Sequence, residues 1–136
     1  MAYQIKRSNH ITDEIERHDG DKTMLVRVDL TVDRILQKYN KSLRTIINTR
    51  EQIDKLTDAG EIEAATVQLG AAIVTLFSLI FGEEQTRQIL DFYGGNHVDM
   101  FADFLPYLTD VIMPKIQQAQ QDVANRYKTT LRRFHK

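Results

Sequence analysis

Apolar residues alternate with polar ones near the beginning of the chain. In "TMLVRVDL" (23–30) every second residue is apolar, the spacing that places side chains on one face of a β-strand. The segment "ITDEIER" (11–17) is the expected partner strand. Asp19–Gly20 lies between the two and is a two-residue turn signal, because glycine accepts a positive φ. We therefore predict a β-hairpin within residues 1–30, to which residues 3–7 could add a short strand.

The apolar spacing changes to three and four residues from Thr31 onward. This spacing predicts an amphipathic helix over about residues 31–57. Asp29 or Thr31 is expected to cap its N-terminus with a side-chain oxygen. The segment "TDAG" (57–60) is expected to end the helix, with Gly60 in the left-handed conformation of a helix C-terminus.

A second helix is predicted from about residue 61 to residue 81. Its C-terminal half is apolar on nearly all sides, which is typical of a helix buried in a core. The apolar run covers about 13 residues and includes Thr75 and Ser78, whereas a membrane span needs about 20. We therefore expect a central core helix and no membrane span. Gly70 and the two alanines after it offer a flat spot for another helix.

Two further helical regions complete the pattern. A short helix is predicted at 83–93, ended by Gly94–Gly95, and Asn96 is a plausible cap for the last helix. Helical spacing then continues to the end of the chain, interrupted by Pro106 and Pro114, where a kink is expected. The predicted fold class is α+β and predominantly α-helical. An N-terminal β-hairpin is followed by four or so helices, of which the last is long and kinked at proline.

The length of 136 residues fits one domain, residues 1–136. We divide it into the hairpin (1–30), a helical core (31–114) and a C-terminal helical extension (115–136), whose removal should leave the rest folded. The extension is single-faced and rich in glutamine. We expect it to dock on its own domain or on a neighbour, or to be disordered until a partner arrives.

Motifs for catalysis or cofactor binding are missing from the sequence. The absence of cysteine excludes disulfides, thiolate metal sites and cysteine catalysis. The chain contains no HExxH, GxSxG or glycine-rich phosphate-binding motif. Asp99 and Asp103 lie four residues apart and could bind a divalent cation or a basic partner, or simply form a solvated acidic face. We therefore expect no enzyme activity, no cofactor and no metal site. The first ten residues do not predict a signal peptide, so an intracellular protein is expected.

Charge is segregated along the chain although the net charge is only −1. Residues 31–50 and 111–136 are mainly basic, and residues 83–110 are mainly acidic. These blocks predict either electrostatic complementarity, within the molecule or between copies, or solvated faces. The segment "RYKTTLRRFHK" (126–136) could pair phosphates and stack bases. Its apolar residues also continue the helical stripe, and the sequence pI of about 6.4 makes nucleic acid an unlikely partner.

The segment "LFSLIFGEEQTRQILDFYGGNHVDMFADFLPYL" (76–108) resembles the tail assembly chaperones of long-tailed, siphovirus-like bacteriophages of Gram-positive bacteria. The resemblance is carried by the Phe81–Gly82–Glu83 step after an apolar helix, the short helix and the glycine turn. The order of elements extends it over most of the chain.

This resemblance implies a non-enzymatic protein that binds the tape measure protein and self-associates during tail morphogenesis. It would act in the cytoplasm of the infected bacterial host and be absent from the mature virion. The tail tube protein is a further candidate partner, and a longer frameshifted form is known in such families. Two other functions stay open: a small helical nucleic-acid-binding or regulatory protein that uses its basic C-terminal segment, and a structural tail or connector protein.

The contact surface for a partner is predicted on the last helix, where apolar residues keep helical spacing. The first three members of this series could instead pack on the protein's own helices. The predicted partner-binding residues are Leu108, Ile112, Ile116, Val123, Tyr127, Leu131 and Phe134.

Overall fold

The structure, a computed structural model, describes residues 9–134, with side chains to Arg132. It confirms the α+β, mainly helical fold with an N-terminal hairpin and a long last helix. The possible strand at residues 3–7 lies outside the described residues. The elements are β1 His10–Asp19, β2 Lys22–Thr31, α1 Val32–Lys55, α2 Ala59–Phe81, α3 Glu83–Phe92, α4 His97–Tyr107, a π-helical segment Leu108–Ile112, and α5 Met113–Phe134.

The hairpin pairs β1 and β2 antiparallel, with Asp19 opposite Lys22. The turn residues are therefore Gly20 and Asp21, one position later than the sequence predicted. Gly20 has φ 62°, and glycine at the first central position is the arrangement of a type II′ turn. The predicted turn would have needed a strained positive φ at Asp19 as well. The shift moves the pairing by two residues, so the same side chains stay on the apolar face.

One face of the hairpin is buried against α2 and α3. The buried β2 residues are Met24, Val26, Val28 and Leu30. The outer edge of β2 is held by the amide of Gln85 in α3. Its Oε1 accepts from the Arg27 N–H at 2.8 Å, and its Nε2 donates to the Arg27 carbonyl at 2.7 Å. The same Nε2 also donates to the Phe81 carbonyl, so the amide ties β2 to the end of α2.

The N-terminus of α1 differs from its prediction. Thr31 is the N-cap residue, but its side chain makes no capping hydrogen bond. Its hydroxyl lies 3.1 Å from His10 Nδ1, and His10 Nε2 lies 2.6 Å from an Asp29 carboxylate oxygen. Both proposed caps therefore contact the His10 ring, while the Val32 N–H donates to the Asn9 carbonyl.

The junction between α1 and α2 also differs from its prediction. Gly60 does not end α1, which stops at Lys55 with Leu56 in an extended conformation. Gly60 lies in the first turn of α2, where the Asp58 carboxylate accepts from the Glu61 N–H. A short side-chain acceptor at the N-cap starts the new helix and leaves no need for a glycine terminator.

Helix α2 is the central helix of the core, as predicted. Its length and composition alone would allow it to cross a membrane, because an 18-residue window has a mean hydropathy of 2.0. Counting an apolar run of about 13 residues therefore did not by itself exclude a membrane span. In the fold, α2 packs against α1, α3, α4 and β2. Close approach at Gly70 is confirmed, since the His97 ring of α4 lies against it.

An aromatic cluster joins α2 to α4. Phe77, Phe81 and Phe104 contact one another in tilted or edge-to-face pairs, with ring centroids 5.2–5.5 Å apart. The rings are buried. They fix the position of α4 against the C-terminal half of α2.

The last helical region runs from His97 to Phe134 without a break at either proline. Asn96 caps it as predicted, accepting from the Asp99 N–H. The turn before Pro114 is widened: the Met113 N–H donates to the Leu108 carbonyl, five residues earlier. A π-helical turn accommodates a residue that lacks an N–H and whose ring clashes with the preceding turn. The π-helical segment therefore lies just before Pro114, and the chain continues through this proline as the α-helix α5.

The core continues beyond the predicted boundary at residue 115. Ile116 and Ala119 are fully buried and belong to the same cluster as Ile112. All described side chains from Val123 to Arg132 are exposed. The exposed extension therefore begins at about residue 123, and because Ile116 and Ala119 are buried we now expect removal of 115–136 to destabilise the rest.

Candidate partner-binding surface

An apolar groove of about 430 Å³ lies between α1, α2 and α4. We call it the α1–α2–α4 groove. Arg50 supplies its only charged lining residue among the described residues. The lining residues are Ile46, Arg50, Ile53, Leu69, Ile73, Val98, Phe101, Ala102 and Leu105.

The groove has a buried floor and an exposed rim. Ile46 and Ile73 are 2% and 1% exposed and form the floor. Val98 and Leu105, on α4, are 54% and 36% exposed. An exposed apolar rim above a closed apolar floor is the form of a surface that receives an apolar side chain from outside.

The groove exists because α4 carries apolar residues on two faces. Met100 and Phe104 point into the core and are buried. Val98, Phe101 and Leu105 occupy another face and line the groove. The core covers the first face fully and the second only in part, through Phe101, so the rest of the second face is left as a groove wall.

The predicted partner-binding residues of the last helix fall into two groups. Leu108, Ile112 and Ile116 are 0–2% exposed and pack on the protein's own helices. This is the alternative that the sequence left open, and we do not retain these three as partner-binding residues. They are buried because the π-helical segment and the first turns of α5 belong to the core.

The later members of the series are exposed. Val123, Tyr127 and Leu131 are 49%, 69% and 41% exposed and recur every four residues along α5. The side chain of Phe134 lies outside the described side chains. We call Val123, Tyr127 and Leu131 the α5 stripe. It and the groove are two apolar surfaces that the described residues leave exposed.

Two charged surfaces accompany these apolar ones. The loop and helix ends from residue 51 to residue 63 carry five exposed acidic residues and one basic residue, Lys55. We call this the acidic tip; its acidic members are Glu51, Asp54, Asp58, Glu61 and Glu63. Residues 123–136 carry five Lys or Arg residues and no Asp or Glu.

The acidic residues of α4 are partly neutralised within the molecule. Asp103 forms an ion pair with Arg17 of β1, whose guanidinium also donates to the Tyr93 hydroxyl at 3.0 Å and lies over the Tyr93 ring. Asp99 accepts from the Asn96 side chain. The two carboxylates thus have separate partners. Within the part of the chain that the structure describes, no group of three or more His, Asp or Glu residues could hold a metal ion.

A partly buried polar contact joins β1 to α4. The Tyr107 hydroxyl donates to an Asp13 carboxylate oxygen at 2.9 Å. Burial raises the pKa of Tyr107 above its usual range, and this hydrogen bond raises it further. The protonated phenol is therefore the form that anchors α4 to the hairpin.

Comparison of the chain with protein-family models, curated proteins and solved structures finds no match.

The groove was missed at the level of sequence, although one signal for it exists. Residues 98–108 hold six large apolar residues, which is more than one face of a helix can present. Such a helix has two apolar faces, and one core surface cannot cover both. Locating the groove also required the positions of Ile53 and Leu69, which come from two other helices.

Proposed function

We propose that this protein is a non-enzymatic tail assembly chaperone that holds an amphipathic helix of the tape measure protein in the α1–α2–α4 groove. The observation that carries the proposal is the groove itself, with an apolar floor and an exposed apolar rim. The resemblance over residues 76–108 supplies the identity of the client.

The chemistry of the groove suits a helical client. A helix with apolar residues at spacings of three and four presents one narrow stripe. If the client helix lay in the groove, its apolar face would cover the exposed parts of Val98 and Leu105. Arg50 at the lining can pair with a carboxylate on the client's polar side. A long amphipathic helix without such cover would expose an apolar surface that promotes aggregation.

Co-expression with the tape measure protein encoded next to this chain tests the proposal. We expect the wild type to keep the client soluble and to co-purify with it. The double substitution Val98→Asp/Leu105→Asp should abolish both effects, because a carboxylate in an apolar groove is buried without a partner when the client binds.

The matched control is Val67→Asp. Val67 is 69% exposed on α2 and does not line the groove. Circular dichroism should show the same helix content for all variants. If the groove variant keeps the client soluble as well as the control does, the groove is not the client site. If the neighbouring genes encode no long coiled-coil protein, the chaperone assignment itself fails.

A further inference from the structure

The α5 stripe projects beyond the folded core. Among the side chains described up to Arg132, Ala119 is the last fully buried one of α5, and the Asp122 carboxylate accepts from the Asn9 side chain. Residues 123–134 continue as helix past this contact. At about 1.5 Å per residue this is roughly 18 Å of helix that exposes an apolar stripe.

The stripe cannot reach the groove of its own chain. Helix α4 forms one wall of that groove, and α5 continues from α4 through the π-helical segment in one uninterrupted helix. Burial of Ile112, Ile116 and Ala119 holds the start of α5 in the core. The helix would have to break and reverse for its end to return to α4. A second molecule is therefore needed to cover the stripe.

Charge complementarity identifies that molecule. The stripe is flanked by basic residues, including the exposed Lys128 and Arg132. The acidic tip, Glu51 to Glu63, lies where α1 ends and α2 begins and includes the groove residue Ile53. An apolar stripe with a basic border matches an apolar groove beside an acidic tip. Both surfaces are present on every copy of this chain.

We propose that the α5 stripe of one copy lies in the α1–α2–α4 groove of a second copy, with its basic residues against the acidic tip. Val123, Tyr127 and Leu131 are spaced four residues apart on one side of α5. They would fill the groove as a helix in a groove. The inference uses the same groove as the proposed function, so the stripe and a client would compete for it, but it needs no client and the two can fail separately.

This contact joins two different surfaces. The groove is on α1, α2 and α4, whereas the stripe is at the far end of α5. Such a heterologous contact leaves one unused groove and one unused stripe after two copies have joined. Further copies can therefore be added, and the assembly either closes into a ring or grows as an open chain. A symmetric dimer would instead use the same surface twice.

Sedimentation velocity of the full chain without client tests the contact by charge exchange. Lys128→Glu/Arg132→Glu and Asp54→Lys/Glu63→Lys should each weaken self-association roughly tenfold or more, because like charges then face one another. Combining all four substitutions in one chain should restore assembly, since the charges become complementary again. Lys38→Glu/Lys41→Glu changes two exposed lysines of α1 that line neither surface and is the matched control.

A mixing experiment tests the head-to-tail geometry. Tyr127→Asp places a carboxylate in the α5 stripe, and Leu105→Asp places one in the groove. Each variant alone should be monomeric. An equimolar mixture should form dimers only, because one intact stripe meets one intact groove.

The proposal is overturned if the wild type is monomeric under these conditions. It is also overturned if the charge variants behave like the control, if the fourfold variant is not restored, or if the mixture stays monomeric. Loss of client binding with intact self-association would leave this inference in place and refute the proposed function.

Discussion

Tyr39 carries a buried hydroxyl that the surrounding apolar core does not satisfy. The residue is fully buried, and its hydroxyl has no hydrogen-bond partner among the described residues. Burial raises the pKa of Tyr39 from its ordinary value of 10.0 to about 12. A buried hydroxyl without a partner costs about 1–3 kcal/mol relative to the same group in water. The ring stabilises the core while the hydroxyl opposes it.

We expect Tyr39→Phe to raise the free energy of unfolding by about 1 kcal/mol at neutral pH, because it removes this cost. The variant should also lose less stability in alkali. Between pH 10 and 12 the folded wild type keeps the Tyr39 proton whereas the unfolded chain releases it. Stability that is present below pH 10 is therefore lost as the pH rises.

Urea unfolding of both proteins at neutral and alkaline pH measures this difference. Tyr127→Phe, at a phenol that is 69% exposed, is the control. Equal effects of the two substitutions would show that the Tyr39 hydroxyl is not the cause.

At the scale of elements, the hairpin depends on one side chain of α3. A strand edge exposes backbone N–H and carbonyl groups that can pair with another chain. Gln85 occupies both groups of Arg27 on the outer edge of β2. Its third hydrogen bond reaches the Phe81 carbonyl at the end of α2. The amide therefore blocks the edge and positions the hairpin at the same time.

Gln85→Ala should lower the free energy of unfolding by about 1–2 kcal/mol, because the backbone groups of Arg27 and Phe81 then hydrogen-bond to water instead. Gln85→Glu should cost more, because a carboxylate cannot donate to the Arg27 and Phe81 carbonyls. Denaturant unfolding and hydrogen exchange of the Arg27 amide measure both effects. Gln88→Ala, at an exposed position one turn along α3, is the control. A change in Gln85→Ala no larger than in the control would contradict this role.

Periodicity predicted the elements because local spacing decides them. The hairpin face and the bounds of α2 and α3 follow from residues close in sequence, as does the Asn96 cap. The α1–α2 junction was mispredicted because two local signals compete there. Gly60 could end one helix, but Asp58 starts the next with a side-chain hydrogen bond. Likewise, Gly20 fits two turn positions, and the observed one avoids strain at Asp19.

At the scale of the whole molecule, burial separates core from extension where sequence spacing cannot. Ile116 and Val123 belong to the same apolar series, yet Ile116 is 1% and Val123 49% exposed. Only the position of α1 beside the first turns of α5 decides which residues are covered. The groove was beyond sequence reasoning for the same reason, since three separate helices form it.

Two truncations should therefore behave differently. Deleting residues 123–136 removes exposed side chains among those described, so the fold should persist while self-association is lost. Deleting 115–136 also removes Ile116 and Ala119 from the core. That should cost several kcal/mol, about as much as one or two large-to-small core substitutions, and leave the remainder partly unfolded.

Thermal unfolding by circular dichroism, together with light scattering, distinguishes the two products. Equal melting temperatures for the two truncations would contradict the boundary at about residue 123. An unchanged oligomer mass after the shorter deletion would contradict the role of the α5 stripe.

The uninterrupted helix from His97 to Phe134 has a mechanical consequence. It is roughly 57 Å long at about 1.5 Å per residue. One end is a wall of the groove and the other carries the stripe. Because the buried residues Ile112, Ile116 and Ala119 hold the middle of this helix in the core, it acts as a rigid spacer. Copies joined stripe to groove would therefore repeat at a regular interval that the length of this helix sets.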